Sequence, residues 1–149
     1  MKLGDLLNAK DSKYRVAVNV RPSETILVAV HQLAEHGRNS VTVIDDNGKL
    51  VGIVTESDVL RKCLVSGKAL DKIKIEDVMT KGVAVGNIED DLSYAINAMK
   101  EHRFRDIPIV DAQEKVIGII SMRDLLGVQL NESELRVRLL SDYISGYPG

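Results

Sequence analysis

Residues 52–60 read GIVTESDVL and residues 118–126 read GIISMRDLL. In both, a β-rich run passes a glycine and reaches a hydroxyl residue, Thr55 or Ser121, and an aspartate follows three positions on, Asp58 or Asp124. The displacement of 66 residues also carries Val41 to Ile107, Val43 to Ile109, Asp45 to Asp111 and Lys49 to Lys115, and it holds without a gap from Ile26/Leu92 onward. Upstream of that point the second copy has one extra residue, VAVNVRPSETI standing against GVAVGNIEDDL. Such a period marks a duplicated supersecondary unit whose halves bury their apolar faces on each other.

Within each copy the hydrophobic period changes in the same order. VAVNV (residues 16–20) predicts a short strand. Pro22 and Ser23 then open a helical segment with an apolar face of Ile26, Ala29, Val30, Leu33 and Ala34, ended by Gly37; its counterpart uses Leu92, Ala95, Ile96 and Met99. SVTVI and LVGIVT follow as two strands joined through Asp45, Asp46, Asn47 and Gly48, where Asn-Gly is a hairpin signal; the second hairpin, through DAQEK, lacks that glycine. A last helix carries Val59, Leu60, Cys63 and Leu64, mirrored by Leu125 and Leu126. The expectation is an α+β fold of two pseudo-symmetric units, each strand-helix-strand-strand-helix. The first spans residues 1–67 with the leading KLGDLL, and the second spans 68–130, opening with the connector that ends in IEDVMT. Residues 131–149 supply an extra helix, NESELRVRLLSDYI, capped by Asn131 or Ser133 with Leu135, Leu139 and Tyr143 on one face, and a short tail.

Composition narrows the function. The chain has 149 residues, 44% of them hydrophobic, which supplies a core without disulfide staples. No run approaches the ~18 apolar residues of a membrane span, and the start lacks the apolar core of a signal peptide, so a cytoplasmic protein without membrane contact is expected. Cys63 is a lone cysteine on an apolar stripe, read as packing rather than as a nucleophile. A net charge of −2, one phenylalanine and no tryptophan argue against a nucleic-acid surface. His36 and His102 are equivalent under the repeat and sit at helix ends, and with His31 they offer no metal-ligand spacing. No glycine-rich phosphate loop and no nucleophile elbow occurs, so no enzyme is expected.

The hydroxyl–aspartate pair admits two readings. At a strand-to-helix boundary, residues i and i+3 share a face and form a capping box, each side chain bonding the other's backbone N–H. Alternatively, the helix end attracts a phosphate while the aspartate accepts from a vicinal diol such as the 2′ and 3′ hydroxyls of ribose. Together a diol at the acid and a phosphate at the helix end describe a nucleotide, and a cap formed in the empty protein is compatible with it.

With SVTVIDDNGKLV and FRDIPIVDAQEKVI before the two motifs and IEDVMT ahead of the second unit, the chain resembles a tandem CBS-domain pair, the module named after cystathionine β-synthase, over residues 2–130. The resemblance implies a non-catalytic regulatory module that binds adenosine-bearing ligands (AMP, ADP, ATP, S-adenosylmethionine, NAD or cyclic dinucleotides) in clefts between the two units. It implies no cofactor beyond such a regulatory nucleotide, a homodimer shaped as a flat disc, and an effector protein that reads occupancy. The alternative is an oligomeric scaffold whose clefts are vestigial. Carried over residue by residue, the resemblance makes Asp58 and Asp124 the ribose acids, Thr55 and Ser121 the hydroxyls beside them, Arg105 a phosphate ligand, and Val20, Val85, Ile107 and Pro108 the adenine walls. Asp106 stands where many members carry His or Arg, and Asn87-Ile88 replaces Arg21-Pro22. Arg105 and Arg123 correspond to Asn39 and Ser57, so positive charge concentrates in the second copy and the two clefts are expected to be unequal.

Overall fold

The computed structural model describes residues 1–10 and 16–128, with Val137, Leu140 and Ser141. The helix expected over residues 131–144 thus lies almost wholly outside the described residues. Helix α1 (Leu3–Ala9) is followed by strand β1 (Asn19–Val20), helix α2 (Ile26–His36), the hairpin β2 (Ser40–Ile44) and β3 (Leu50–Thr55), and a short helix α3 (Glu56–Asp58) that widens into a π-type turn over Val59–Leu64. The second copy gives α4 (Leu92–His102), the hairpin β4 (Asp106–Val110) and β5 (Val116–Ser121), and a helical segment over 122–128. One sheet has the order β1-β2-β3, with β1 parallel to β2, and the other pairs β4 with β5. The opening strand of the second copy shrinks to a single parallel bridge, Gly86 to Ile109.

Both hairpins turn by the same local chemistry. The Asp45 carboxylate accepts from Asn47 N–H at 2.8 Å and Lys49 N–H at 3.0 Å, and Asp111 accepts from Gln113 and Lys115 N–H at 2.9 and 3.0 Å. Gly48 has φ 80°, and Glu114, its equivalent, is held at φ 64°, so the second hairpin keeps the left-handed residue without the glycine that favours it. Two strand-level expectations change. VAVNV forms a ladder only at its end, although Val18 still accepts from Thr42 N–H at 2.9 Å. Helix α2 starts at Ile26 rather than at Pro22, because residues 21–24 close a turn in which Glu24 accepts from Arg21 N–H at 2.7 Å.

The cores cut across the order of the chain. One gathers Val20, Ile26, Ala29, Leu33, Val41, Val43, Val54 and Cys63 of the first copy with Ile73, Ile75 and Val78 from the connector. The other gathers Ala95, Met99, Ile107, Ile109, Ile120 and Leu125 with Leu3, Leu6 and Leu7 of α1. The backbone repeats the exchange. Leu3 and Gly4 N–H donate to Asp90 O (2.8 Å) and Ile88 O (2.9 Å), just as Ile75 and Glu76 N–H donate to Glu24 O (2.9 Å) and Pro22 O (3.0 Å). Each unit is therefore closed by the segment that precedes the other in sequence. A division at residue 67 follows the repeat along the chain, whereas in space the leading segment of the first unit belongs to the core of the second. Glycines permit the two closures. A Cβ on Gly86 would lie 2.7 Å from Leu3 Cδ1, and one on Gly52 would lie 2.7 Å from Met79 Sδ.

Candidate functional site

The two motifs form the capping box that their spacing predicts. Thr55 N–H donates to Asp58 Oδ2 at 2.9 Å and Asp58 N–H to Thr55 Oγ1 at 3.1 Å; the corresponding distances for Ser121 and Asp124 are 2.8 and 3.2 Å. The first N–H of each helix is also taken, Glu56 N–H by Asn39 O at 3.0 Å and Met122 N–H by Arg105 O at 2.6 Å. Two of the first three helical donors are thus engaged in each copy. Side chains supply further positive charge at the motifs.

Each motif opens onto a cleft. The larger, of about 730 Å³, is lined by Asp124, Ser121, Met122, Arg123, Ile119 and Leu126 from the second copy, by Gly37, Arg38, Asn39 and Ser40 from the first, and by Lys10, Arg105 and Asp106. The smaller, of about 500 Å³, is lined by Asp58, Thr55, Glu56, Ser57, Ile53, Leu60 and Arg61, by Arg103, Phe104, Arg105 and Asp106 from the second copy, and by Asn39 and Ser40. Apart from Lys10 in the first and Arg61 in the second, these are the same cleft displaced by 66 positions. Four basic side chains (Lys10, Arg38, Arg105, Arg123) face two acids (Asp106, Asp124) in the first, while three (Arg61, Arg103, Arg105) face three (Glu56, Asp58, Asp106) in the second.

Equivalent residues touch where the units meet. Ser40 Oγ donates to Asp106 Oδ2 at 2.7 Å, and Lys49 bridges Lys115, both pairs being partners under the repeat. The halves are therefore related by a local twofold, and Asn39, Ser40, Arg105 and Asp106 form a wall common to both clefts. Burial pushes the Asp106 carboxyl up from its ordinary value, and the Ser40 hydroxyl and Lys10 offset this only in part.

The two motif acids receive lysines from unrelated places. Lys10, just past α1, lies 2.7 Å from Asp124 Oδ2 and donates to Ile119 O at 2.9 Å. Lys62, four residues after Asp58, lies 3.1 Å from its Oδ1 and donates to Val78 O at 3.1 Å. The Lys10 side chain is 9% exposed and that of Lys62 is 48% exposed.

A duplicated unit closed by its partner's leading segment, with a hydroxyl–aspartate cap at the mouth of each of two twofold-related clefts, is an architecture found elsewhere. The CBS domain profile matches residues 15–65 and 75–131. The chain belongs to the CBS-domain family. A putative signal-transduction CBS protein from Burkholderia ambifaria superposes with a TM-score of 0.81 at 28% identity, covering 88% of this chain and 95% of that one. The CBS pair of protein MJ0100, solved with 5′-methylthioadenosine and S-adenosylmethionine, gives a TM-score of 0.76 at 25% identity, covering 89% and 98%. CBSX2, solved with AMP, gives 0.70 at 28% identity, covering 89% and 98%. Among curated sequences, an uncharacterised protein of Methanopyrus kandleri is 31% identical over 115 residues, 77% of this chain and 59% of that protein. The chain thus spans about three-fifths of that relative's length.

The CBS fold brings Thr55, Asp58, Ser121, Asp124, Arg105 and Arg123 to the clefts and leaves the four expected adenine walls out of their linings. Val20 and Ile107 are 3% and 1% exposed and belong to the two cores. Pro108 O accepts from Gly86 N–H at 2.9 Å, and Val85 O accepts from the Tyr94 hydroxyl at 2.7 Å. Apolar lining comes instead from Ile119, Met122 and Leu126 in one cleft and Ile53, Leu60 and Phe104 in the other. Arg105, read from sequence as distinguishing the clefts, lines both. The inequality rests on Lys10, Arg38 and Arg123 against Arg61, Arg103 and Glu56. Ser40 and Asn39 were legible as the repeat partners of Asp106 and Arg105, whereas no sequence signal marks Lys10.

Arg103 shows how the second CBS unit departs from the first. Gly37 closes α2 at φ 60° in the left-handed region, and Arg103 closes α4 at φ 58° with a side chain that disfavours it. Arg103 also lines the Asp58 cleft. Arg103→Gly is expected to stabilise the fold by about 0.5–1 kcal/mol, the relief of strain less the added freedom of the unfolded chain. The same change should weaken anion binding in that cleft. A denaturation midpoint at or below that of the parent chain would contradict the strain argument.

Proposed function

We propose that the protein is a non-catalytic sensor that binds adenine nucleotides in its two clefts and passes occupancy to an effector protein. The observation that carries this reading is the pairing, in each cleft, of a capped aspartate suited to a ribose diol with arginines suited to a phosphate. The ligands named for two structural neighbours, AMP in one and 5′-methylthioadenosine with S-adenosylmethionine in the other, support an adenosine-bearing ligand. Excess positive charge favours the Asp124 cleft as the tighter site for a phosphate-bearing nucleotide. Among the described residues no helix is long and apolar enough to cross a membrane, and a cytoplasmic location is part of the same reading.

The test is a thermal-shift panel of AMP, ADP, ATP, NAD, S-adenosylmethionine and cyclic dinucleotides, in which a ligand at a hundred times its Kd adds ~2.7 kcal/mol. Calorimetry with the best ligand should resolve one strong and one weak site, and recovered nucleotides should be chemically unchanged. Two sites of equal affinity would remove the charge argument. A second reading, an oligomeric scaffold with vestigial clefts, draws on Leu60, Leu64 and Leu126, exposed at 56%, 56% and 55% beside the cleft mouths. We assign this apolar face to a homodimer in either reading. Leu60→Glu should therefore convert the dimer to monomer in sedimentation, and an unchanged oligomer would place the interface elsewhere.

A further inference from the structure

We propose that Lys10 is a positioning residue for the Asp124 cleft: the leading segment sets its ammonium against Oδ2 of the carboxylate and so orients this acid toward a ligand diol. The proposal rests on the nucleotide reading above and deepens it by making one cleft depend on a residue outside both repeats. Oδ2 of Asp124 receives both Lys10 and Ser121 N–H. At Asp58 the same two contacts are split, Thr55 N–H on Oδ2 and Lys62 on Oδ1. The two donors thus converge on one oxygen at Asp124 and are divided between two at Asp58.

Lys10 is fixed as a positioning group has to be. Its side chain is 9% exposed against 22% for Asp124, and its ammonium is anchored a second time on Ile119 O, in the strand that leads to Ser121. Its backbone N–H closes α1 by donating to Leu7 O at 3.3 Å, and Leu3, Leu6 and Leu7 hold that helix in the second core. Lys62 has no such enclosure, being half exposed on the helix of its own acid. Burial pushes the Asp124 carboxyl up, but the bonds from Lys10 and Ser121 outweigh it and hold it below the ordinary carboxylate value. Among the described residues, the other charged groups lining the cleft with Asp124 are Asp106 at the head of β4, Arg38 after α2, Arg105 and Arg123. Asp106 and Arg105 belong to both clefts, and Lys10 also holds the Asp106 carboxyl down, so a pH effect routed through Asp106 appears in both clefts and the part confined to Ser121 is the part routed through Asp124.

The experiment compares the full chain with Lys10→Met, which keeps the stem and removes the charge, and Lys10→Arg, which restores it. The Asp124 carboxyl is titrated by carbon NMR without ligand, and AMP binding is followed at pH 7 and pH 5 through the amide signals of Ser121 and Thr55, which read the clefts separately. Lys10→Met should raise the Asp124 midpoint by about 1–3 units, the effect of losing an opposite charge at contact distance. AMP affinity at Ser121 should then fall more steeply between pH 7 and pH 5 than in the parent protein, by about tenfold where the midpoint reaches about 6, with a smaller change at Thr55 and Lys10→Arg restoring the flatter profile. An unshifted Asp124 titration in Lys10→Met overturns the role of Lys10 whether or not AMP binds. A shifted titration in a parent chain that binds no AMP overturns the nucleotide reading, and with it the presentation of Asp124 to a ligand.

Discussion

Leu3→Ala is expected to cost about 2–5 kcal/mol of folding stability, the range for emptying a fully buried leucine site. A residue two places from the start of the chain ordinarily contributes little, because termini fray unless something ties them down. Leu3 is tied down at every level. Its side chain is fully buried in the second core, its Cδ1 occupies the space that the missing Cβ of Gly86 leaves open, and its N–H donates to Asp90 O at 2.8 Å. Alanine would keep the backbone bond and lose the packing, and the narrow fit at Gly86 leaves little freedom for the site to collapse. Leu27→Ala, on α2 at 37% exposure, serves as the comparison and should cost much less. The measurement is denaturant unfolding of both variants. A cost for Leu3→Ala no greater than for Leu27→Ala would mean that α1 does not close the second unit in solution.

Asp124→Ala and Asp58→Ala should each weaken nucleotide binding in their own cleft by about 1.5–3 kcal/mol, roughly tenfold to more than a hundredfold, as expected for a hydrogen bond to a charged group. The loss should be larger at Asp124, where Lys10 and Ser121 N–H converge on Oδ2. Alanine also removes a cap worth about 0.5–2 kcal/mol of stability, so Asp124→Asn is the cleaner variant. Asparagine keeps a side-chain acceptor for the Ser121 N–H and removes the negative charge. Asparagine also leaves the enclosed Lys10 ammonium without its counter-charge, which costs stability of its own, so the ligand role is read from the affinity loss of the folded variant and not from its melting temperature. If all three variants bind nucleotide normally and differ only in melting temperature, the capping box is the whole function of the motif.

The capping box itself was legible because it is local. An i, i+3 hydroxyl–acid pair at a strand-to-helix boundary has its geometry set by the backbone that it caps, and the structure reproduces it twice within a few tenths of an ångström. The hairpins were legible for the same reason, down to the Asp45 and Asp111 carboxylates that organise them, and the left-handed position survived the loss of its glycine at Glu114. The four expected adenine walls lie outside the lining of the two clefts. Residues near a motif in sequence alternate or stack into a core according to what covers the sheet, and Ile107 and Val20 were drawn inward by α1 and the connector.

By itself the sequence determined the duplication, its register of 66 residues, the α+β class, the apolar faces of α2 and α4 and the two hydroxyl–aspartate caps. All of these are written in periods of two to four residues or in the comparison of one half with the other, and short-range geometry is enough to read them. Tertiary structure alone decided that the leading segments are exchanged, that Ser40 meets Asp106, that Arg105 serves both clefts, and that Lys10 reaches Asp124 from 114 residues away. Those contacts arise when two similar units, each unable to bury its apolar face alone, close on one another about a twofold. Which segment covers which core, and which charge arrives beside which acid, is then fixed by the packing of the pair.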